Sequence, residues 1–362
     1  MPAPPQAGGA WSRYRDNLAR HLIGISRDLQ YRAIRRLSEE HGYRRLRPSL
    51  GPFLSLVWTE GRRLNAIADQ LAISRQACSQ LANVAERAGY LERKPDPEDR
   101  RAKVVMLSSR GRALVDHAVQ IILECESEYA GLAGPAAYRR FVVSLAAIFE
   151  GLGIPTHADP ALSAAASRSI GVLPLIAVRI QQDLKEAITA RGHRGLKISH
   201  GPVLALIGLE GARIHEIARI QRVTRQAISA ISQDLEALGY LRRDSDPRDR
   251  RGVVLQRTDR CTRLVRDSAV ALGGLERCFL GILGAGRLEH LKRVARDLYH
   301  ALHPDEERIR AAGERQAAPA DEGRRRGRRA GRTDIRALAA SLRQRLDHRE
   351  AAHLAALLER GA

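Results

Sequence analysis

Residues 51–101 read GPFLSLVWTEGRRLNAIADQLAISRQACSQLANVAERAGYLERKPDPEDRR, and residues 201–251 read GPVLALIGLEGARIHEIARIQRVTRQAISAISQDLEALGYLRRDSDPRDRR. The second stretch repeats the first without a gap. Gly51-Pro52 returns as Gly201-Pro202, Arg75-Gln76-Ala77 as Arg225-Gln226-Ala227, and Gly89-Tyr90-Leu91 as Gly239-Tyr240-Leu241. Asp99-Arg100-Arg101 returns as Asp249-Arg250-Arg251. A chain that carries one unit twice has an internal, near two-fold relation, and it suits a partner that is itself nearly two-fold.

Composition narrows the partner. The 362 residues allow two domains of ordinary size and a tail, and 44% hydrophobic content supplies a core to each. Only 4% are aromatic, so Leu, Ile, Val and Ala must fill those cores. The formal net charge of +20 points to a polyanion. Most of the positive charge is arginine, which forks onto phosphate and guanine, although a GC-rich genome produces the same bias. No apolar run reaches the ~20 residues of a membrane span. Met1 to Ala10 lacks the cationic start and apolar centre of a signal peptide. The expectation is a cytoplasmic, nucleoid-associated protein that does not engage membranes.

Apolar spacing places the elements around the repeat. Trp11, Tyr14, Leu18, Leu22, Ile25, Leu29 and Leu37 predict one long amphipathic helix, and Leu173, Ile176, Ile180, Leu184 and Ile188 its counterpart. Each repeat then reads helix, helix, helix, hairpin, helix, helix. Ser74 and Thr224 are N-cap residues for the third helix, and Gly89 and Gly239 its stops. Two β-like stretches, Leu91–Arg93 and Val104–Leu107, flank the polar tip KPDPEDRRA. The predicted fold class is therefore mainly α with small β-wings. Its predicted segments are a disordered start at 1–10, domains at 11–152 and 170–304, and a linker at 153–169. A basic disordered stretch follows at 305–332, then a C-terminal amphipathic helical segment at 333–362.

A helix pair whose second member is short and polar on its outer face can enter the major groove. In the first copy Arg75, Gln76, Ser79 and Gln80 occupy the first turns of that helix behind Ser74. Thr224, Arg225, Gln226 and Ser229 correspond in the second. Arginine can fork onto guanine and glutamine onto adenine. At the hairpin tips Asp99, Arg100 and Arg101, and Asp249, Arg250 and Arg251, suit a minor-groove probe. A solvated loop tip would explain one such string, but drift would have erased the second.

The order of elements, RLNAIADQLAISRQACSQLANVAERAGYLERKPDPEDRRAKVVMLSSRGRAL and its partner RIHEIARIQRVTRQAISAISQDLEALGYLRRDSDPRDRRGVVLQRTDRCTRLV resemble the MarR family of winged-helix repressors. The resemblance covers about 12–152 and 170–303. It implies two tandem winged helix-turn-helix domains forming an intramolecular pseudo-dimer, with recognition roles for the helix residues above and wing roles for the tip residues. It implies a transcription regulator on double-stranded DNA, with an architectural DNA-coating protein as the alternative. The departures lie in the second copy, where Gln80 becomes Ala230, Leu71 becomes Gln221, Leu107 becomes Arg257 and Gly111 becomes Cys261.

The resemblance also implies a small aromatic ligand, for which Trp11, Tyr14, Trp58, His21 and Arg63 are candidate liners; aromatics at helical steps are otherwise core. No cofactor is expected. The twelve histidines and four cysteines show no paired metal-ligand or disulfide spacing, and His300 and His303 alone are a weak metal signal. Cys78, Cys125 and Cys278 are expected in the core. The run GRRRGRRAGR, 323–332, adds phosphate contacts or solubility. The terminal helix, too short to stand alone, is expected to dock or self-associate. With no phosphate loop or nucleophile–base set at usable spacing, an enzyme is not expected.

Overall fold

The computed structural model describes residues 7–57, 61–71, 73–96, 99, 102–154, 169–207, 211–221, 223–246 and 249–304. All belong to the first of two units, Met1–Arg310; the second is Ala311–Ala362. The basic run, the C-terminal helical segment and most of the proposed linker lie outside the described residues, as does Trp58.

In the first copy the helices are α1 (Ala7–Arg15), α2 (Leu18–Glu39), α3 (Leu50–Ser55), α4 (Leu64–Leu71) and α5 (Arg75–Arg87). The hairpin β1 (Leu91–Pro95) and β2 (Lys103–Leu107) precedes α6 (Ser109–Ala133) and α7 (Pro135–Gly151). The second copy opens on a 3-10 turn at Ile170–Val172 and runs through α8 (Leu173–Thr189), α9 (His200–Leu206), β3 (Ala212–Arg213), α10 (Ile214–Gln221) and α11 (Arg225–Ala237). It closes with β4 (Leu241–Asp246), β5 (Asp249–Arg257), α12 (Asp259–Leu283) and α13 (Ala285–Leu302). The fold is thus mostly helical with small antiparallel sheets. α4 and α10, α5 and α11, and α6 and α12 begin and end at corresponding positions of the two copies.

The single long helix expected from Trp11 to Leu37 is two helices. Asn17 is extended (φ −157°) and its side chain accepts from Arg20 N, so it caps α2 and ends the run from α1. The apolar spacing continues across the break because both helices bury one face. α1 starts at Ala7, within the segment expected to be disordered.

The copies do not keep separate cores. Leu22 and Ile25 of α2, Phe141 and Leu145 of α7, Ile176 and Ile180 of α8, Phe279 of α12 and Leu291 of α13 are buried in one cluster. Each such side chain contributes about 1.5–3 kcal/mol by leaving water. That cluster also holds Ile67, Cys78, Tyr90 and Leu107 of the first hairpin lobe, while Ile217, Ile228, Tyr240 and Leu255 of the second lobe form their own. The long helices reach across between copies. Arg27 of α2 donates to the Gln221 side chain at 3.0 Å, and Gln182 of α8 donates to the Leu71 carbonyl at 2.9 Å. A polar residue at 221 is therefore partnered where Leu71 is buried. Cys78 and Cys125 are buried as expected, whereas Cys278 is exposed.

Candidate nucleic-acid interface

Each lobe presents one helix with an apolar inner and a polar outer face. Ser74, extended before α5, accepts from Ala77 N at 3.1 Å; Thr224, before α11, accepts from Ala227 N at the same distance. Both caps satisfy an amide that the helix cannot. α5 buries Cys78, Ala82 and Ala85, and α11 buries Ile228, Ser232 and Leu235. Period 3.6 then turns Ser74, Arg75, Gln76 and Gln80 outward, and likewise Thr224, Arg225 and Gln226; all are exposed, with Ser79 and Ser229 half-buried. Ala230, opposite Gln80 in the alignment, is exposed and offers no polar group.

Both helices stop in the same way. Gly89 (φ +78°) and Gly239 (φ +75°) take the left-handed conformation. Tyr90 N then donates to Ala85 O and Tyr240 N to Leu235 O, each at 2.9 Å. The turn delivers the chain into the wing. In the first copy β1 pairs antiparallel with β2, Leu91 opposite Leu107, and Arg62 adds an isolated bridge to Val105. In the second the same position is a third strand, with Ala212 opposite Leu255 and the order β3-β5-β4.

Two charge pairs brace each wing, and sequence spacing had not singled them out. Arg63, just before α4, donates through Nε to Asp96 at 2.5 Å, and Arg213 grips Asp246 through Nε and through Nη2 at 3.0 Å. The carboxylates are 6% and 2% exposed, so each needs its guanidinium. Asp246 in turn holds Arg213 above its ordinary value. At the other end, Arg93 of β1 pairs with Glu86 of α5 at 3.2 Å and Arg243 of β4 with Glu236 of α11 at 3.1 Å. These eight residues are identical between the copies, and that identity was the available signal.

Of the tip residues, Asp99 is exposed and 3.9 Å from the Arg63 guanidinium, so it belongs to the brace as well as to the tip. Arg100 and Arg101 lie outside the described residues. Asp249, Arg250 and Arg251 begin β5, and their side chains also lie outside them.

The candidate ligand-lining residues are put to other uses. Trp11 and Tyr14 stack at 5.6 Å and pack against the second copy, with Arg257 over the Trp11 ring. Burial raises the Tyr14 phenol and the neighbouring Cys261 thiol, the latter to about 11. His21 is bonded to Asp16, and Arg63 braces the first wing.

Residues 59–102 and 194–252 each match the model of the MarR family, one segment in each copy. No curated protein matches the chain. Among solved structures, a MarR-family transcriptional regulator from Rhodococcus sp. RHA1 is 19% identical, over 40% of this chain and 98% of its own, with a TM-score of 0.32. Bacillus subtilis YusO is 17% identical over 44% and 99%, with a TM-score of 0.28. A MepR mutant from S. aureus bound to an oligodeoxyribonucleotide is 24% identical over 30% and 77%, with a TM-score of 0.26.

Proposed function

We propose that this chain, two segments of which match the MarR family, is a sequence-specific regulator of transcription that binds double-stranded DNA. Acting as a repressor, it sets two winged helix-turn-helix units on one pseudopalindromic operator as an intramolecular pseudo-dimer. The observation that carries this reading is the duplication of a complete reading device. In each copy a capped helix exposes an Arg-Gln pair in its first turn and is tied to a wing by one ion pair, while a second pair ties the start of the preceding helix to the same wing.

In this reading Arg75, Gln76, Ser79 and Gln80 contact base edges in one major groove, and Arg225, Gln226 and Ser229 in the next, ~34 Å along the duplex. Arg101 and Arg251 enter the flanking minor grooves. Lacking a counterpart of Gln80, the second half-site is read through fewer contacts. Control by a small aromatic acid follows from the family likeness alone, and a panel of such acids added to the bound complex tests it.

Selection of bound fragments from random DNA, followed by footprinting of the full chain, tests the whole. One protected site with two unequal halves is the expected result. Continuous coverage without a discrete boundary would instead favour an architectural, DNA-coating protein.

A further inference from the structure

We propose that Asp16, His21 and His300 form a binding site for one divalent transition-metal cation of the zinc class. The three come from two segments far apart in sequence. Asp16 stands in the break between α1 and α2, His21 in the first turn of α2, and His300 in the last turn of α13. His21 Nε2 is 2.6 Å and His300 Nε2 4.0 Å from Asp16 Oδ1, and one ligand atom of each residue lies within 4.8 Å of the others. The His21 and His300 rings meet edge-on, 5.7 Å apart.

Zinc bonds to imidazole nitrogen and carboxylate oxygen are about 2.0–2.2 Å, so ligands on one tetrahedral ion lie roughly 3.3 Å apart. The present spacings bracket that value. To reach it the Asp16–His21 pair opens and His300, half-exposed at a helix end, moves inward. Two imidazoles and one carboxylate select zinc-like ions over magnesium or calcium, which take oxygen donors. Three protein ligands leave a fourth position for solvent or a further donor.

His21 is 4% exposed; its Nε2 faces Asp16, while Nδ1, on the other side of the ring, has no hydrogen-bond partner. The ring lies beside Tyr299, 5.1 Å between centres, at a desolvation cost that its bond to Asp16 offsets at one nitrogen.

A cation here would tie the α1–α2 break to the end of α13. α1 packs against α12 and α9 of the second copy, and Arg257, at the root of the second wing, lies over Trp11. Occupancy would therefore tighten the hold of α1 on that lobe. The site itself does not depend on the nucleic-acid reading.

The test uses the full chain, stripped with a chelator and titrated with cobalt or zinc salts alone. One equivalent of cobalt should give the intense visible bands of a tetrahedral N/O site, and zinc should displace it and raise the melting temperature. D16N and H300Q should each weaken binding by at least the roughly 10–100-fold that follows loss of a mere hydrogen-bond partner of a ligand. H290Q, altered elsewhere on α13, should bind as the parent does. His300 is at a surface turn, so H300Q keeps the test valid if a change at buried His21 prevents folding. The proposal is overturned if no metal binds at micromolar concentration, or if H300Q and D16N retain the parent's affinity and spectrum.

Discussion

The guanidinium of Arg257 lies over the ring of Trp11, 4.0 Å from its centre, and joins the N-terminal helix to the root of the second wing. The corresponding residue of the first copy is Leu107, buried in the apolar core. A charge at this position is thus accommodated by an aromatic face brought from far away in sequence, and burial holds Arg257 below its ordinary value. Trp11→Ala removes that face and part of the α1 packing. It should destabilise the chain by about 1–3 kcal/mol in denaturant unfolding, while an unchanged midpoint would mean that α1 is only loosely attached.

The wing braces should matter for binding without touching bases. Arg63→Ala removes the guanidinium paired with the buried Asp96 carboxylate, and Arg213→Ala the one paired with Asp246. Because the guanidiniums are partly exposed, the loss of stability from each should stay below the cost of breaking a fully buried pair. Both variants should lose melting temperature and operator affinity together.

Arg75→Ala and Arg225→Ala should behave differently, since both side chains are exposed on the outer helix faces. Each should cost about 1–3 kcal/mol of operator binding and relax the base preference at one position, with the melting temperature unchanged. Loss of affinity that is equal across all sequences would reassign these arginines to phosphates.

Gly111 and Cys261 occupy the same position in α6 and α12 but are not interchangeable. A Cβ at Gly111 would overlap the Tyr90 carbonyl oxygen, whereas Cys261 is accommodated and buried. Gly111→Ala should therefore destabilise by about 1–3 kcal/mol through overpacking, and Cys261→Ala by less. Unfolding of the two variants side by side gives the comparison.

Stability should fall on mild acidification, in part through His200. It is buried, its Nδ1 accepts from Lys197 N at 3.2 Å, and burial lowers its pKa from 6.5. The unfolded chain then binds the extra proton first, so this contribution is full above pH 6.5 and is lost as pH falls below it. His200→Gln should flatten the decline in unfolding midpoint between about pH 7 and 5. A decline as steep as the parent's would place the titration elsewhere, with His21, shifted in the same direction, the next candidate.

Much of this molecule was legible in its sequence because the repeat tests itself. Ser74 with Thr224, and Gly89 with Gly239, mark α5 and α11 at their two ends, and the structure caps and stops them there. The break at Asn17 was hidden, since apolar spacing reports a buried face and not the continuity of the helix carrying it. The pairs Arg63–Asp96 and Arg93–Glu86 were hidden as well: each partner looks like an ordinary surface charge until folding brings distant segments together. The polar departures in the second copy show no partner in the sequence, yet Gln221 is met by Arg27 and Arg257 by Trp11. One network shows the same logic by exchange. Tyr43 and His117 are hydrogen-bonded at 3.0 Å in the first copy, and at the corresponding positions His193 and Asp267 are joined at 2.8 Å, with Tyr240 on the other face of His193.

The mingling of α2, α7, α8, α12 and α13 in a single interior has a genetic implication. Cutting the chain between its two copies would expose long helices that neither fragment covers alone. The outward faces of α5 and α11 take no part in that interior, so their residues can change independently of it.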